Sequence, residues 1–366
     1  MISIKKVCVS ELQQLVNDHS YLTWDNIPIS RHRAMSYIHN PRCLPTDAVL
    51  YLAYIGNRLV GYRTIFPDSI TSGDKIIKVG WLSGNWVDPN FRRKGIASML
   101  FKSAMADWNN RLLFTNYAEE SKAVYDKTGY FKSVCTLSGV RLYIRPCLTR
   151  ILCTRGRKYK VLKPIWQIID FLLSIFNPVP LFLRLIRQPN GIKYEYLNLA
   201  DDETINVFES ETKKTPTHRL GIELNWILNH PWLVSAPLGD VLGKKYYFSS
   251  SPKRFESMLV KVYRDNDLLG FFLANLNDRF ITTPYIICRE GEERVFAKAI
   301  LKHALALGAF RITTFNEMVG KELKRLTFLG WLSLNQKRNF FASNSIYTEI
   351  GNNLTFIEGD GDCAFV

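Results

Sequence analysis

Residues 81–101 read WLSGNWVDPNFRRKGIASMLF, and this stretch decides how the first half of the chain folds. The apolar residues of Lys78–Val87 predict a β-strand that ends at Asp88-Pro89. A basic loop with Gly95 at its end follows, and the residues after it predict an α-helix. A strand that delivers such a loop onto a helix N-terminus presents unpaired N–H groups and the positive end of the helix dipole to one point. The stretch therefore predicts a site for an anion such as a pyrophosphate.

The same order of elements occurs twice along the chain, and this repeat predicts the fold class. A β-hairpin is predicted from Leu50–Ile55 and Arg58–Phe66, and a second one from Met258–Arg264 and Leu268–Leu276. Each half continues with an amphipathic helix, a short strand and a Gly-aromatic turn. In the first half these are the helix with Ala97, Phe101, Ala104 and Trp108, the strand Arg111–Asn116 and Gly129-Tyr130; in the second half they are Val295–Leu307, Arg311–Asn316 and Gly330-Trp331. We predict an α/β protein with two tandem mixed-sheet domains.

Composition limits the class of protein. The chain has 366 residues, of which 47% are hydrophobic, which is enough for folded cores and argues against disorder. The net charge of +15 favours anionic partners. The 7 cysteines show no CxxC spacing, so we expect them to be reduced and expect no metal site. The N-terminal residues lack the apolar region of a signal peptide, which favours a cytoplasmic location.

The basic residues concentrate between Arg141 and Asn190, where ten Lys or Arg stand against one acid, Asp170. An apolar run from Ile165 to Ile186 lies in this segment, but Asp170 and two prolines interrupt it, so it is too short to span a membrane. We predict a basic, partly amphipathic linker helix there. Two interpretations stay open: the helix packs between domains, or residues 150–187 contact a membrane surface from the cytoplasmic side. The predicted domains are 1–145 and 193–366, with a linker at 146–192.

The first half resembles the GNAT N-acetyltransferase superfamily. Val87-Asp88-Pro89 followed by Arg92-x-x-Gly95-x-Ala97 matches the acetyl-CoA signature of that family, and Tyr125-Asp126-Lys127-Thr128-Gly129-Tyr130 matches its Y-x-K-x-G-[F/Y] motif. The resemblance covers most of residues 1–145 and, more faintly, the element order of 195–345. It implies two GNAT-like domains.

The resemblance also implies site residues. Acetyl-CoA would be the co-substrate, Tyr125 would protonate the leaving thiolate, and the base that deprotonates the amine stays open between Asp88, Asp25, Glu119, Glu120 and water. The cofactor-binding residues it implies are Trp86, Val87, Arg92, Arg93, Lys94, Gly95, Ile96, Ala97 and Asn116.

The second copy departs from the pattern. Arg289-Glu290-Gly291-Glu292-Glu293 is acidic where phosphate would bind, and Leu326 stands where the motif has Tyr. We therefore expect a degenerate GNAT-like domain that adds acceptor surface or a dimer contact.

The sequence thus predicts an N-acyltransferase that moves an acetyl or small acyl group from CoA to a primary amine. The predicted acceptor is an amino sugar or sugar nucleotide of envelope polysaccharide synthesis. Two alternatives stay open: a Fem-type aminoacyl-tRNA-dependent transferase, and a non-enzymatic adaptor for membrane surfaces or nucleic acid. Nucleic acid is not expected, because the charge outside residues 141–190 is only +6 and diffuse.

Overall fold

A computed structural model describes residues 1–115, 125, 128–153, 156–175, 187–235, 245–248, 252–327, 332–350 and 354–365. Its strands are β1 (Ile2–Cys8), β2 (Ala48–Ile55), β3 (Arg58–Ser72), β4 (Lys75–Val87), β5 (Leu112–Thr115), β6 (Phe131–Tyr143), β7 (Ile192–Leu197), β8 (Phe255–Arg264), β9 (Asp267–Asn277), β10 (Phe280–Cys288), β11 (Arg311–Thr314) and β12 (Ser333–Ser343). Its helices are α1 (Val9–Asn17), α2 (His19–Thr23), α3 (Arg31–Ile38), α4 (Ile96–Asp107), α5 (Leu148–Cys153), α6 (Arg157–Val161), α7 (Lys163–Ile175), α8 (Asp202–Thr212), α9 (Gly221–Asn229), α10 (Glu293–Ala306), α11 (Glu317–Leu326) and α12 (Asn344–Ile350). In this part of the chain, no helix is long and apolar enough to span a lipid bilayer.

Both predicted hairpins are present, and so is the mixed α/β fold. β2 and β3 pair in antiparallel fashion around a turn that begins at Gly56, and β8 and β9 meet at a turn that begins at Asp265. Gly56 and Asp265 have φ values of 57° and 55°. A left-handed residue in a two-residue turn matches the twist of the flanking strands, which is why these turn dipeptides predicted the hairpins.

The first compact unit consists of residues 1–136, 198–255 and 338–366. Its strands follow the order β1-β2-β3-β4-β5-β12, in which β4 and β5 are parallel and the pairs β1–β2, β2–β3, β3–β4 and β5–β12 are antiparallel. Helix α4 buries Leu100, Phe101 and Ala104 against the sheet. These positions repeat with the period of a helix, so one face of α4 supplies this core.

The second compact unit consists of residues 137–197 and 256–337. Its strands follow the order β6-β11-β10-β9-β8-β7. Helix α10 buries Phe296, Ile300 and Ala304, and α11 buries Leu323 and Leu326 in the same core. The unit therefore repeats the sheet-and-helix plan of the first one.

Each unit receives one strand from the other half of the sequence. In the first unit Phe340–Ala342 of β12 pairs with Leu113–Thr115 of β5, and in the second Val140–Tyr143 of β6 pairs with Arg311–Thr314. Neither unit is therefore one contiguous range. Residues 198–255 and 338–366 pack in the first unit, although the sequence assigned them to a second domain at 193–366. Hydrophobic patterning shows which residues form a strand but not which strand is its neighbour.

A buried carboxylate on β3 holds these distant segments in the first unit. Asp68 is fully buried, and its Oδ1 accepts a hydrogen bond from Nη1 of Arg42 at 2.9 Å. Its Oδ2 accepts from Nη2 of Arg219 at 3.0 Å and from Nε1 of Trp81 at 3.1 Å. Arg219 also donates to the carbonyl of Gly361 at 3.1 Å. One anion thus connects β3 and β4 with a second-half loop and the C-terminal segment.

We predict that Asp68→Asn lowers the free energy of unfolding by about 3–5 kcal/mol, because it removes the buried carboxylate charge that the buried guanidinium of Arg219 contacts. Asp74→Asn, in the exposed turn between β3 and β4, is the matched control and should change stability by less than about 0.5 kcal/mol. Urea unfolding followed by circular dichroism measures both. Equal stability of the two variants would show that Asp68 does not hold the unit together.

Candidate functional site

The end of β4 has one edge that β5 does not cover. The parallel pairing of β4 with β5 joins Gly80 to Leu112 and Trp81 to Leu113, and within the described residues it goes no further. On its other edge β4 stays paired with β3 as far as Val87. The two strands therefore separate beyond Trp81, and no other described strand pairs with the backbone amides and carbonyls of β4 at this open edge. An extended ligand with amide groups can pair with such an edge.

A β-bulge lies in this stretch of β4. Thr64 of β3 is opposite Gly84 and Ile65 is opposite Leu82, so Ser83 is an extra residue without a partner on β3. A bulge bends a strand and changes the direction of its side chains. At this bulge, polar groups of the β4 backbone and polar side chains lie close together along the open edge.

The loop after β4 has the geometry of an anion site. Arg93 and Gly95 have left-handed backbone angles, φ 64° and 78°, and α4 begins at the next residue. Arg92, Arg93 and Lys94 are exposed. A Cβ added at Gly95 would have no heavy atom within 4 Å. Left-handed residues turn successive N–H groups to one side, and the helix N-terminus adds its own N–H groups there.

The remaining predicted cofactor residues flank this loop. Trp86 is buried and stacks on Tyr62 with 5.4 Å between ring centroids, so its backbone rather than its ring is placed for a ligand at the open edge. Val87 and Ala97 are half-buried, and Ile96 is buried in the core under α4. The structure thus groups eight of the nine predicted residues around one strand end and one helix start. The ninth, Asn116, lies outside the described residues.

Tyr125 lies on the face of the sheet that α4 covers. Nη1 of Arg63 donates a hydrogen bond to its phenol oxygen at 3.0 Å, and its ring stacks on Phe114 with 4.7 Å between centroids. Arg63 is opposite Asn85 on β4, two residues after the bulge. The phenol is therefore fixed close to the open edge of β4. No three His, Cys, Asp or Glu side chains in the described ranges group to hold a metal ion.

A polar cluster occupies the opposite face of the bulge. The Ser83 hydroxyl accepts a hydrogen bond from Nη2 of Arg33 at 2.6 Å and donates one to the carboxylate of Asp362. Arg33 also donates to the phenols of Tyr37 at 2.7 Å and Tyr246 at 2.9 Å. Burial raises the pKa of both phenols, so Tyr37 and Tyr246 stay neutral beside the guanidinium of Arg33.

The C-terminal segment is fixed where it brings Asp362 to the bulge. Thr217 donates a hydrogen bond to the Asp360 carboxylate at 2.5 Å, and burial raises the pKa of Asp360 to about 6. Gly361 has φ 65°, and a Cβ there would lie 2.7 Å from the ring of Trp81. Only glycine fits this position without displacing the ring. The neighbouring Asp362 is half-buried.

Asp362 was missed by the sequence analysis, and the bases considered there are placed differently. Asp88 accepts hydrogen bonds from Arg58 at 2.8 Å and from the amide of Asn90 at 2.9 Å, so it caps the turn after β4. Asp25 is exposed, and Glu119 and Glu120 lie outside the described residues. The one signal for Asp362 was the acidic, glycine-containing stretch at 358–362, which resembles an ordinary turn.

The second unit has a different arrangement at the corresponding helix. Glu292 is the residue before α10, and both of its carboxylate oxygens accept hydrogen bonds from Arg264, at 2.5 and 2.7 Å. Arg289 pairs with Asp267 at 2.5 Å. Acidic side chains thus stand where the first unit has its basic loop, and Leu326 is buried in the core. The second copy keeps the fold without the anion site.

Comparison with known proteins agrees with this geometry. The profile of the acetyltransferase (GNAT) domain family matches residues 46–131. No curated protein matches the chain. Among solved structures, the chain is similar to Saccharomyces cerevisiae N-myristoyltransferase with bound myristoyl-CoA, at 11% identity and a TM-score of 0.53 over 94% of this chain and 79% of that one. It is also similar to a probable N-acyltransferase from Enterococcus faecalis, at 11% identity and a TM-score of 0.52 over 94% and 72% of the two chains.

These structural likenesses concern the fold, and the family match covers the strands and the loop that form the site. The resemblance inferred from the two motifs is confirmed. Residues 46–131 match the GNAT acetyltransferase domain family, and the chain shares its fold with the two acyltransferase structures named above.

Proposed function

We propose that the protein is an N-acyltransferase that moves an acetyl or other small acyl group from CoA to a primary amine. The observation that carries this proposal is the open edge of β4 that leads directly into the basic, left-handed loop before α4. A pantetheine chain has amides that suit the edge, and a pyrophosphate suits the loop. These two features lie in the order in which they occur along CoA.

The chain supplies the binding groups. The N–H groups of residues 93–97 would hold the pyrophosphate, with counter-charge from Arg92, Arg93 and Lys94, and the backbone at Trp86 and Val87 would pair with the pantetheine. Because a Cβ at Gly95 would meet empty space, the cradle fits a phosphate next to the backbone. Acetyl-CoA, when bound, supplies the acyl group as an activated thioester.

Two residues on opposite faces of β4 would transfer the two protons of the reaction, one from the amine and one to the thiolate. The acceptor nitrogen forms the new amide bond as the C–S bond breaks, and the nitrogen gives up one proton while the thiolate takes one. Asp362, beside the bulge, accepts the proton of the amine. Tyr125 donates a proton to the thiolate, whose free pKa is about 8.5. Asp362 is therefore our proposal for the base that the sequence left open.

We further propose an amino sugar or amino-sugar nucleotide, of the kind used in envelope polysaccharide synthesis, as the acceptor. Tyr247 and Phe248 are 63% and 43% exposed, and Phe248 lies 3.3 Å from the point where Gly84 would carry a Cβ. Exposed aromatic rings next to a reaction site can stack on a sugar face. The alternative, aminoacyl transfer from tRNA, would not require a binding site for CoA.

We predict that acetyl-CoA raises the melting temperature and that Gly95→Glu abolishes this shift, because the carboxylate would occupy the phosphate position. Gly56→Glu is the matched control: Gly56 also has a left-handed φ with no heavy atom near a Cβ, but it lies in the β2–β3 turn. Differential scanning fluorimetry with acetyl-CoA measures both variants. A folded Gly95→Glu protein with an unchanged shift, or a wild type without one, would contradict the CoA site and favour the tRNA alternative.

We predict that Tyr125→Phe lowers kcat by about 10²–10⁴, the usual contribution of a general acid, while the thermal shift with acetyl-CoA persists. Tyr130→Phe, at an exposed tyrosine of the same motif, is the control and should keep full activity. Thiol release from acetyl-CoA with amino-sugar nucleotides as acceptors measures both rates. An unchanged kcat in Tyr125→Phe would remove Tyr125 from the mechanism.

We predict that Asp362→Asn lowers kcat/KM by about 10²–10⁴ at neutral pH and that the loss shrinks as pH rises. At higher pH more of the acceptor amine is already deprotonated, so a base contributes less. Asp25→Asn is the control, because Asp25 is an exposed acid that the sequence also suggested. A loss that is equal at every pH, or a loss in Asp25→Asn instead, would contradict the role of Asp362.

A further inference from the structure

Among the residues that the structure describes, one side of helix α7 contacts the rest of the second unit. The two carboxylate oxygens of Asp170 accept hydrogen bonds from the backbone amides of Leu148 and Thr149, at 2.7 and 2.9 Å, and thereby cap the start of α5. Trp166 and Leu173 lie on the same side of α7 and are half-buried. Asp170, the acid that interrupts the apolar run, thus links α7 to the start of α5 and fixes the orientation of α7.

The other side of α7 is apolar and exposed. Five large side chains on this side are between 50% and 65% exposed: Ile165, Ile168, Phe171, Leu172 and Ile175. Four of them follow the spacing i, i+3, i+7, i+10 and form one stripe, with Phe171 beside it. Single exposed apolar residues are ordinary, but a contiguous apolar face of this kind marks an interaction surface. We call these five residues the α7 face.

The charge next to the α7 face is strongly positive. Arg157, Lys158, Lys160 and Lys163 are all exposed in α6 and at the start of α7. Residues 156–175 contain one acid, Asp170, and it is engaged with the amides of α5. An occupant of this surface must therefore offer apolar material and negative charge together. An anionic phospholipid bilayer offers both within the thickness of its interface.

A second copy of the chain fits this surface less well. A symmetric dimer places the same patch on both sides of the contact. The second copy would bring four more exposed cations to the contact and no free acid to match those of the first, because Asp170 is engaged with the amides of α5. The helix has 13 residues, fewer than the roughly 20 that a membrane-spanning helix needs. It suits a position in the plane of the membrane surface.

We infer that α7 and the cations before it attach this protein to the surface of anionic membranes, with the α7 face inserted among the lipids. The lysine and arginine side chains would lie at the level of the headgroups, where their long apolar parts can follow the helix and their charges meet phosphate. This attachment does not depend on the proposed acyl transfer.

Vesicle co-sedimentation of the full chain tests the inference. Wild type should bind phosphatidylcholine vesicles that contain about 30 mol % phosphatidylglycerol and should not bind pure phosphatidylcholine vesicles. Binding should weaken when salt rises from about 0.1 to about 0.5 M, because salt screens the attraction between the cations and the lipid phosphates. No binding of wild type to the anionic vesicles would overturn the inference.

Two pairs of variants separate the apolar from the electrostatic contribution. Ile168→Glu with Phe171→Glu should reduce vesicle affinity at least about tenfold, whereas Gln167→Glu with Ser174→Glu adds the same charge at exposed polar positions of α7 and should reduce it less. Lys158→Glu with Lys160→Glu should also reduce affinity about tenfold or more, whereas Lys5→Glu with Lys75→Glu, at exposed lysines elsewhere, should not.

Thermal melting confirms that each variant is folded, which is expected because every substituted side chain is exposed. Equal affinity within either pair would contradict the assigned surface. Light scattering tests the other possible occupant of the α7 face, a second copy of the chain. A dimer of the wild type that is lost in Ile168→Glu with Phe171→Glu, without any vesicle binding, would assign the α7 face to a second copy of the chain instead.

Discussion

The buried carboxylate of Asp68 is the interaction on which the first unit depends. A buried charge is costly unless it is paired, and Asp68 meets this requirement by accepting hydrogen bonds from Arg42, Arg219 and Trp81. Arg219 comes from the second half of the sequence and also binds the carbonyl of Gly361. The hydrogen bonds to the Asp68 carboxylate therefore hold a second-half loop and the C-terminal segment against β3 and β4. The candidate site lies at the end of β4.

This arrangement explains why the site has two faces with different origins. The face with α4 and Tyr125 is built from consecutive elements of the first half, in the order that the family motifs indicate. The face with Ser83, Arg33 and Asp362 is completed by the C-terminal segment, and Tyr246 joins it from the loop after α9. In the proposed reaction the first face binds CoA and protonates the thiolate, while the second receives the amine and its proton. The bulge at Ser83 is where the two faces meet.

The second unit shows that the fold can be present without the exposed basic loop of the first unit. Its sheet, α10 and α11 repeat the plan of the first unit, but the pair of Glu292 and Arg264 stands at the start of α10 where the first unit has an exposed basic loop. Each unit also takes a strand from the other half of the chain. The second half of the sequence supplies β12 residues to the first sheet and Asp362 to the bulge, and these roles do not require a phosphate-binding loop before α10.

The sequence by itself determined the local features. The turns at Gly56 and Asp265, the strand that ends at Val87, the loop to Gly95 and the amphipathic helix α4 all follow from neighbouring residues, because hairpins, glycine angles and helix periodicity act over a few positions. The family motifs add Tyr125 for the same reason. The exposure of the α7 face was left open between two interpretations, since an apolar helix has the same pattern whether it is covered or not.

Only the tertiary structure decided which strands are neighbours, which segments form each unit and which acid reaches the bulge. Ser83 and Asp362 are 279 positions apart, and nothing in either neighbourhood refers to the other. Their contact follows from the exchange of β12 and from the burial of Asp68 and Asp360, which depend on partners from distant parts of the chain. Long-range pairing is selected by the summed burial and hydrogen bonding of the whole unit, and for that reason a local pattern of residues cannot determine it.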